Sequence, residues 1–208
     1  MKFEYLRPDE IEKRSFEIIE SELEGEIPEK IKPIVMRAIH TTADFDYREI
    51  LYFSDNAVEA FEKAAEKKAV IVTDTNMARA GINKMALKKL GMECVCFMAD
   101  EDVAKTAKEN GLTRAAVSVD KAAKLQRPVI YAVGNAPTAL LRICEHLKAG
   151  DMTPALVIGT PVGFVNVIRS KEMLINSGAE CIVSKGRKGG SNVAAAICNA
   201  LMYMIGGR

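Results

Sequence analysis

The sequence predicts a single α/β domain over residues 1–208, built on a mainly parallel sheet of five or six strands. Helices cover both faces of the sheet, and a helical N-terminal section precedes it. Short apolar runs rich in β-branched residues recur along the chain, and helical patterns follow them. Because these runs are continuously apolar rather than alternating, they are typical of parallel strands buried on both faces. Right-handed crossovers then place helices on the two sides of the sheet.

The N-terminal section contains two predicted helices. The first begins at Pro8, because a proline and acidic side chains suit the unpaired N–H groups of a first turn. Ser15 interrupts its apolar stripe, where a serine either bonds a carbonyl of its own helix or points into a ligand cavity. A second stripe, with apolar residues three or four apart from Ile27 to Ile39, predicts a helix that leads to His40.

The strands and the remaining helices follow in alternation. A strand-like segment at 50–53 is followed by N-cap residues at 54–56 and a helix to about residue 67. Compact apolar runs predict strands at 69–73, 94–97, 129–133, 155–158 and 181–183. Helical patterns cover residues 76–90, 102–109, 113–125, 138–148, 164–176 and 191–205. No low-complexity segment or fixed-period repeat interrupts this order, which favours one domain.

The composition is that of an ordinary globular protein. Hydrophobic residues make up 49% and charged residues 27%, and 29 basic side chains against 28 acidic ones give a net charge of +1. This balance provides no global field for nucleic acid or an anionic membrane, although local basic clusters could bind an anionic small molecule. No apolar run reaches the roughly 18–20 residues of a spanning helix, and the charged N-terminus lacks a signal-peptide core. We therefore expect a cytoplasmic protein.

The five cysteines do not form a metal-binding pattern. Their number is odd and no Cys-x-x-Cys pair occurs, so we predict no zinc or other metal site. We interpret them as small buried hydrophobic residues in a reducing compartment. A thiol nucleophile is a less favoured alternative, because no basic residue is plainly placed to activate one of them.

Polar or glycine-rich turns follow four of the predicted strands. Ligands of open parallel sheets bind outside the carboxyl ends of the strands, and helix N-termini at such turns attract anions. The chain has neither a Gly-x-Gly-x-x-Gly fingerprint nor the Gly-Lys-Ser/Thr ending of a phosphate loop, so a nucleotide site is poorly supported. We expect instead a broad site for a large ligand with several carboxylates. Its candidate binding residues at these turns are Asp74, Asn135, Gly163, Lys185 and Arg187.

His40 is the candidate proton donor. It is one of two histidines, and Arg37 lies three residues before it at the same helix end, with Thr41 and Asp44 after it. Histidine ordinarily titrates near neutrality, as a proton-transfer group must. We expect Arg37 to disfavour its charged form and Asp44 to favour it. A histidine at a helix end is also explained by the helix dipole alone, which is our interpretation of His146.

Several stretches, in order along nearly the whole chain, carry the residues of one known family. They are residues 11–19 around Ser15, RAIHTTADF at 37–45, TDTNM at 73–77, GLTRA at 111–115, VGNAPTAL at 133–140, PALVIGTPVGF at 154–164, GRKGGS at 186–191, AAA at 194–196 and NAL at 199–201. On these motifs, of which GNAPTAL and PVGF are the most specific, the chain resembles the precorrin-8X methylmutases, called cobalt-precorrin-8 methylmutases in the anaerobic pathway. It departs from the family at Ala43, where glycine is also common, and at residues 77–79, where apolar residues are frequent.

The resemblance implies an isomerase that moves a methyl group from C-11 to C-12 of a corrinoid ring, giving a cobyrinic or hydrogenobyrinic acid skeleton. It also implies a homodimer and no dissociable cofactor, with any cobalt carried by the substrate. His40 matches the single active-site histidine of the family. Ser15 and Arg37 match the family's substrate contacts.

The residues and the resemblance agree on a mechanism. A [1,5]-sigmatropic methyl shift needs a polarised π-system rather than a nucleophile, and protonation of the macrocycle by His40 would polarise it. Arg37 and the turns would hold the acetate and propionate groups of the ring. These carboxylates explain why Arg114, Lys185 and Arg187 occur at turn positions, and they make Arg114 a further candidate binding residue. A corrinoid-binding carrier without catalysis is the alternative. A weaker option is an α/β enzyme that binds a nucleotide or phosphate.

Overall fold

The computed structural model describes residues 5–206, apart from the side chains of residues 8 and 9. The helices are α1 Pro8–Glu22, α2 Lys32–Thr42, α3 Tyr47–Ile50, α4 Ala57–Glu66, α5 Asn76–Gly81, α6 Lys84–Leu90, α7 Glu101–Asn110, α8 Arg114–Ala122, α9 Pro137–Ala149, α10 Val167–Ile175 and α11 Ser191–Gly206. The strands are β1 Leu51–Phe53, β2 Val70–Thr73, β3 Glu93–Val95, β4 Val129–Val133, β5 Leu156–Gly159 and β6 Cys181–Ser184.

The strands form one six-stranded sheet in the order β1-β6-β5-β4-β2-β3. Strands β2 to β6 are mutually parallel, and β1 is antiparallel to β6, with Leu51 opposite Ser184. Every residue of β2, β4, β5 and β6 is buried, as continuous apolar runs require of strands covered on both faces. The predicted fold class, a mainly parallel α/β domain, is therefore confirmed.

Two apolar layers cover the sheet. The larger contains the buried faces of α2, α4 and α11, and the other contains those of α8, α9 and α10. The alanine-rich α11 is buried along most of its length and packs closely on α2, because small side chains let two helix backbones approach. Helix α1 lies on α2 at the outside of this layer. No helix in the part of the chain that the structure describes is long and apolar enough to cross a membrane.

Helix α2 begins later than its apolar stripe predicts. The stripe starts at Ile27, but the helix starts at Lys32. Pro33 lies in its first turn, the part of a helix where a missing N–H removes no hydrogen bond, and Pro28 belongs to the preceding turn. The periodicity was continuous because Ile27 and Ile31 pack on the same core as the helix.

The single helix predicted at 76–90 is wrong, because α5 and α6 are separate helices. Asn83 ends the connection: its side-chain oxygen accepts hydrogen bonds from the N–H groups of Met85 (2.9 Å) and Ala86 (3.1 Å) and caps α6. The side chain of Asn199 in α11 bonds to the connection between the two helices. Its Oδ1 accepts a hydrogen bond from the Asn83 N–H at 2.8 Å, and its Nδ2 donates to the Gly81 carbonyl at 2.9 Å. Ile82 in the connection and Ala86 and Leu87 of α6 are buried in the same core, so the apolar pattern continued through the break and did not mark it.

The start of the helix predicted at 164–176 is also wrong. Helix α10 begins at Val167, after a loop at 160–166. Gly163 has φ +142° and Asn166 has φ +59°, and neither conformation can continue a right-handed helix. Phe164 and Val165, which extended the apolar pattern, are instead largely exposed.

The cysteines are free thiols, as predicted. Four are buried, and Cys94 is half-buried rather than fully buried. Burial raises the pKa of Cys94 to about 12 and that of Cys144 to about 11. These thiols therefore stay protonated at neutral pH, which weakens the alternative of a thiol nucleophile.

His146 joins three segments on the face of the sheet that carries α8 and α9. It lies in the last turn of α9, as predicted. Its Nε2 is 2.7 Å from an oxygen of Asp120 in α8, and its Nδ1 is 2.7 Å from an oxygen of Asp151 in the following loop. Arg142 also pairs with Asp120, at 2.6 Å. Burial lowers the pKa of His146, but the hydrogen bonds to the two carboxylates outweigh it and the net pKa is raised.

We expect this histidine to make stability depend on pH. Because its pKa is raised on folding, its contribution is fully present below the unfolded value of about 6.5 and is lost as pH rises through the folded value. His146→Gln should therefore lower the free energy of unfolding by only about 1 kcal/mol at pH 5.5, because Asp151 is exposed and water screens its pair with His146. At pH 8.5 the loss should be much smaller, because less of the imidazole is charged. Urea unfolding followed by circular dichroism measures this. An equal loss at both pH values would contradict the prediction.

Candidate active site

The four turns predicted to share one edge of the sheet do so, because β2, β4, β5 and β6 are parallel. Helix α11 begins at the same edge, and its first residues meet these turns closely. A Cβ added at Gly134 would come within 2.6 Å of the Ser191 Cα, and Ser191 Oγ is 2.7 Å from Thr75 Oγ1. Glycine at 134 is therefore required by the close approach of α11 to the end of β4.

His40 lies in the last turn of α2, next to the start of α11. Its side chain is exposed, and its ring stacks on Phe16 of α1 with centroids 5.1 Å apart and planes 22° apart. Within residues 5–206 its ring nitrogens make no hydrogen bond, so they are available to a ligand. A depression of about 210 Å³ lies beside the ring, lined by Arg37, His40, Thr41, Gly81, Asn192, Ala195, Ala196 and Asn199.

Arg37 is oriented by three residues that sequence reasoning did not find. Its Nη1 is 3.0 Å from a carboxylate oxygen of Glu12 in α1. Its guanidinium lies over two aromatic rings, 5.1 Å from the centre of Phe16 and 4.8 Å from that of Tyr203 in α11. These partners come from two other helices, α1 and α11, which lie 20 or more residues away from Arg37 along the chain, so no local pattern could have revealed them. The arrangement keeps a cation beside His40 and balances part of its charge with Glu12.

Asp44 is engaged with a different cation from the one the sequence suggested. One oxygen accepts the Asp46 N–H at 3.0 Å, and the other lies 2.6 Å from Lys188 Nζ. The Lys188 hydrogen bond lowers the pKa of Asp44 despite partial burial. Asp44 therefore ties the end of α2 to the turn after β6, rather than pairing with His40. Thr41 lines the His40 depression, and its carbonyl accepts a hydrogen bond from Asn192 Nδ2 at 3.4 Å.

Asp74 holds the turn that contains Asn135. Its side chain is buried, and its oxygens accept hydrogen bonds from the N–H groups of Gly134 (2.8 Å), Asn135 (2.8 Å) and Ala136 (2.6 Å). Burial raises the pKa of Asp74, and the three N–H donors oppose that rise without cancelling it. Its visible role is to shape the turn, while the Asn135 side chain is exposed at the edge. Direct binding of a ligand by either residue stays a prediction.

The turns after β5 and β6 contact one another. The Gly163 N–H donates to the Arg187 carbonyl at 3.2 Å, and the Arg187 guanidinium lies 5.8 Å from the centre of the Phe164 ring. The Lys185 ammonium, near the β1 edge, is 5.3 Å from the centre of the Tyr52 ring. The side chains of Phe164, Lys185 and Arg187 are exposed, whereas that of Tyr52 is half-buried.

The other two predicted residues lie farther from this group. Arg114 is exposed at the first position of α8, which packs on the opposite face of the sheet from α2 and α11. Thr113 beside it donates to Thr138 at the start of α9 (2.9 Å), so the start of α8 still lies at the carboxyl edge. Ser15 donates to the Ile11 carbonyl at 2.9 Å, the first of the two roles the sequence left open. The structure thus brings Arg37, His40 and Thr41 to one depression and Gly163 and Arg187 to one pair of turns.

Comparisons with known proteins agree on one family. A family model described as precorrin-8X methylmutase matches residues 10–204. A cobalt-precorrin-8 methylmutase of Salmonella typhimurium is 44% identical, with 96% of each chain covered. Another, from Priestia megaterium, is 42% identical over 96% of this chain and 89% of its own. A solved precorrin-8X methylmutase from Thermus thermophilus has a TM-score of 0.86 and 39% identity, covering 94% of this chain and 96% of the other.

Proposed function

The chain belongs to the precorrin-8X methylmutase family, isomerases of cobalamin biosynthesis, and we propose that it moves the methyl group from C-11 to C-12 of precorrin-8 or its cobalt form. The observation that carries this proposal is His40, exposed beside Arg37 at the glycine-rich edge of the sheet. A sigmatropic shift needs an acid that polarises the π-system of the macrocycle, and a single exposed imidazole can supply that acid.

His40 is the acid in this proposal. Protonation of the macrocycle draws electron density from the π-system, which lowers the barrier to migration of the methyl group along the ring. The stack on Phe16 restricts the imidazole to one plane while both ring nitrogens stay open to the substrate. Glu12 balances Arg37, so a positive imidazolium meets less repulsion from its neighbour.

The substrate's acetate and propionate groups are bound around this centre. Arg37 and Thr41 line the depression next to His40. Lys185 and Arg187 are exposed on the turn after β6. The N–H groups and dipole at the start of α11 add to the favourable field for carboxylates. Ser15, Asp44, Asp74, Arg114, Asn135 and Gly163 complete the proposed substrate-binding set, some of them by shaping the turns.

We also propose a cytoplasmic homodimer that needs no dissociable cofactor, with any cobalt entering as part of the substrate. The depression beside His40, at about 210 Å³, is smaller than the roughly 300–1,000 Å³ of typical ligand pockets. A large macrocycle therefore needs additional protein surface to enclose it. The exposed Phe164 and Val165 nearby are apolar surface that a second copy could cover. The free thiols suit a reducing compartment.

An absorbance titration with precorrin-8 and with cobalt-precorrin-8 tests the function. We expect catalytic amounts of protein to convert one or both to the rearranged acid, with a change in the spectrum that continues beyond one equivalent. A spectral change that stops at one equivalent, with substrate recovered unchanged, would overturn catalysis in favour of the corrinoid-carrier alternative. Absence of corrinoid binding together with binding of ATP or NAD would favour the nucleotide-binding option.

A further inference from the structure

Lys171 of α10 is a buried cation that the proposed chemistry does not use. Its side chain is 1% exposed, and its ammonium donates to the carbonyls of Gly186 (2.9 Å) and Lys188 (2.8 Å). Among the described residues it forms no ion pair with a carboxylate. Burial lowers the pKa of Lys171 to about 8, because carbonyl dipoles replace water only in part. A lysine is rarely placed in a protein interior without a partner of opposite charge.

The two carbonyls belong to the segment at 185–190, called here the basic turn, which carries Lys185, Arg187 and Lys188. Lys171 draws two of its carbonyls toward the interior. Ser184 strengthens the same attachment by donating to the Lys188 carbonyl at 2.9 Å. With these carbonyls directed inward, the exposed side chains of the turn stand at the carboxyl edge of the sheet.

The opposite side of the basic turn is attached to the turn after β5. The Gly190 N–H donates to the Thr160 carbonyl at 2.8 Å, and the Arg187 carbonyl accepts from Gly163 at 3.2 Å. A Cβ added at Gly189 would come within 2.1 Å of the Thr160 oxygen, so this contact requires glycine. The basic turn is thus fixed from the interior by Lys171 and laterally by Thr160.

We propose that Lys171 is a positioning residue for substrate binding, holding the basic turn in the conformation that presents Arg187 and the start of α11 to the substrate's carboxylates. This inference rests on the proposed function. The ammonium also places positive charge directly behind the turn, where it favours anions in front of it. His40 lies within α2, which packs on α11, whereas Asp44, which contacts the basic turn through Lys188, follows the end of that helix. Loss of Lys171 therefore affects binding more than the chemical step.

The test compares Lys171→Met with wild type by steady-state kinetics on the corrinoid that wild type converts. We expect KM to rise about tenfold to a hundredfold, the range for loss of charge-assisted hydrogen bonds, with kcat within about threefold. Arg169→Met is the matched control, because it removes one positive charge from the exposed side of the same helix. It should leave KM within about twofold of wild type. A Lys171→Met enzyme with the wild-type KM would overturn the proposal, whether or not its kcat is reduced.

Ser184→Ala keeps the proposal testable if Lys171→Met does not fold. It removes one of the hydrogen bonds to the Lys188 carbonyl, so KM should rise about threefold at unchanged kcat, and an unchanged KM would count against the proposal. Amide hydrogen exchange separates the proposal from the function on which it rests. If wild type converts no corrinoid, the function fails by itself. If residues 185–190 exchange no faster in Lys171→Met than in wild type, the positioning role fails by itself.

Discussion

Replacing His40 by alanine is expected to lower kcat by about a hundredfold to ten-thousandfold, the usual contribution of a general acid. The proposed reaction has one proton donor at the macrocycle, and the substitution removes it. Stability should change little, because the imidazole is exposed and its contact with Phe16 is a single stack at the surface. Corrinoid binding should persist, since Arg37 and the turns remain in place. The measurement is single-turnover absorbance with excess enzyme, which separates chemistry from product release.

The second histidine supplies the control for this experiment. His146→Gln changes the same residue type on the other face of the sheet, where its partners are Asp120 and Asp151, and should keep kcat within about twofold of wild type at pH 6. Turnover by His40→Ala within a few-fold of wild type would show that the imidazole is not the acid. Loss of activity in both variants would point instead to a general effect on folding.

Replacing Asp74 by alanine is expected to destabilise the protein by about 3–5 kcal/mol, the largest change in folding among these variants. The buried carboxylate accepts hydrogen bonds from three backbone N–H groups at the end of β4, and its loss leaves the buried Gly134 N–H and the part-buried N–H groups of Asn135 and Ala136 without this partner. Because Gly134 lies directly against Ser191, loosening of this turn also disturbs the start of α11. Urea unfolding followed by circular dichroism gives the free energy.

Asp102→Ala is the matched control for the Asp74 experiment. Asp102 is an exposed aspartate whose partner is Lys121, and because water screens this pair its loss should destabilise the protein much less than the loss of Asp74. Asp74→Asn should fall between the two, since an amide retains one acceptor oxygen but turns a donor toward N–H groups. If Asp74→Ala were no less stable than Asp102→Ala, the carboxylate would not be what secures the turn.

The sequence predicted most of the architecture because the signals were local. Continuous apolar runs marked the buried parallel strands, and helix α9 was placed to within a residue at each end. Errors arose where tertiary contacts interrupted a local pattern. Asn199 inserts into the break between α5 and α6, and positive φ values at Gly163 and Asn166 delay α10. In both places the apolar periodicity continued across the boundary, so it could not mark it.

What the sequence by itself determined was the fold class, the edge of the sheet at which the turns meet and the resemblance to a family of methylmutases. Only the tertiary structure decided the partners of each charged group. It placed Glu12, Phe16 and Tyr203 around Arg37. It also paired Asp44 with Lys188 and buried Lys171 beneath the basic turn. The physical reason is range. Hydrophobic periodicity acts over a few neighbouring residues, whereas hydrogen bonds and ion pairs in a site join side chains that the chain separates and the fold alone brings together.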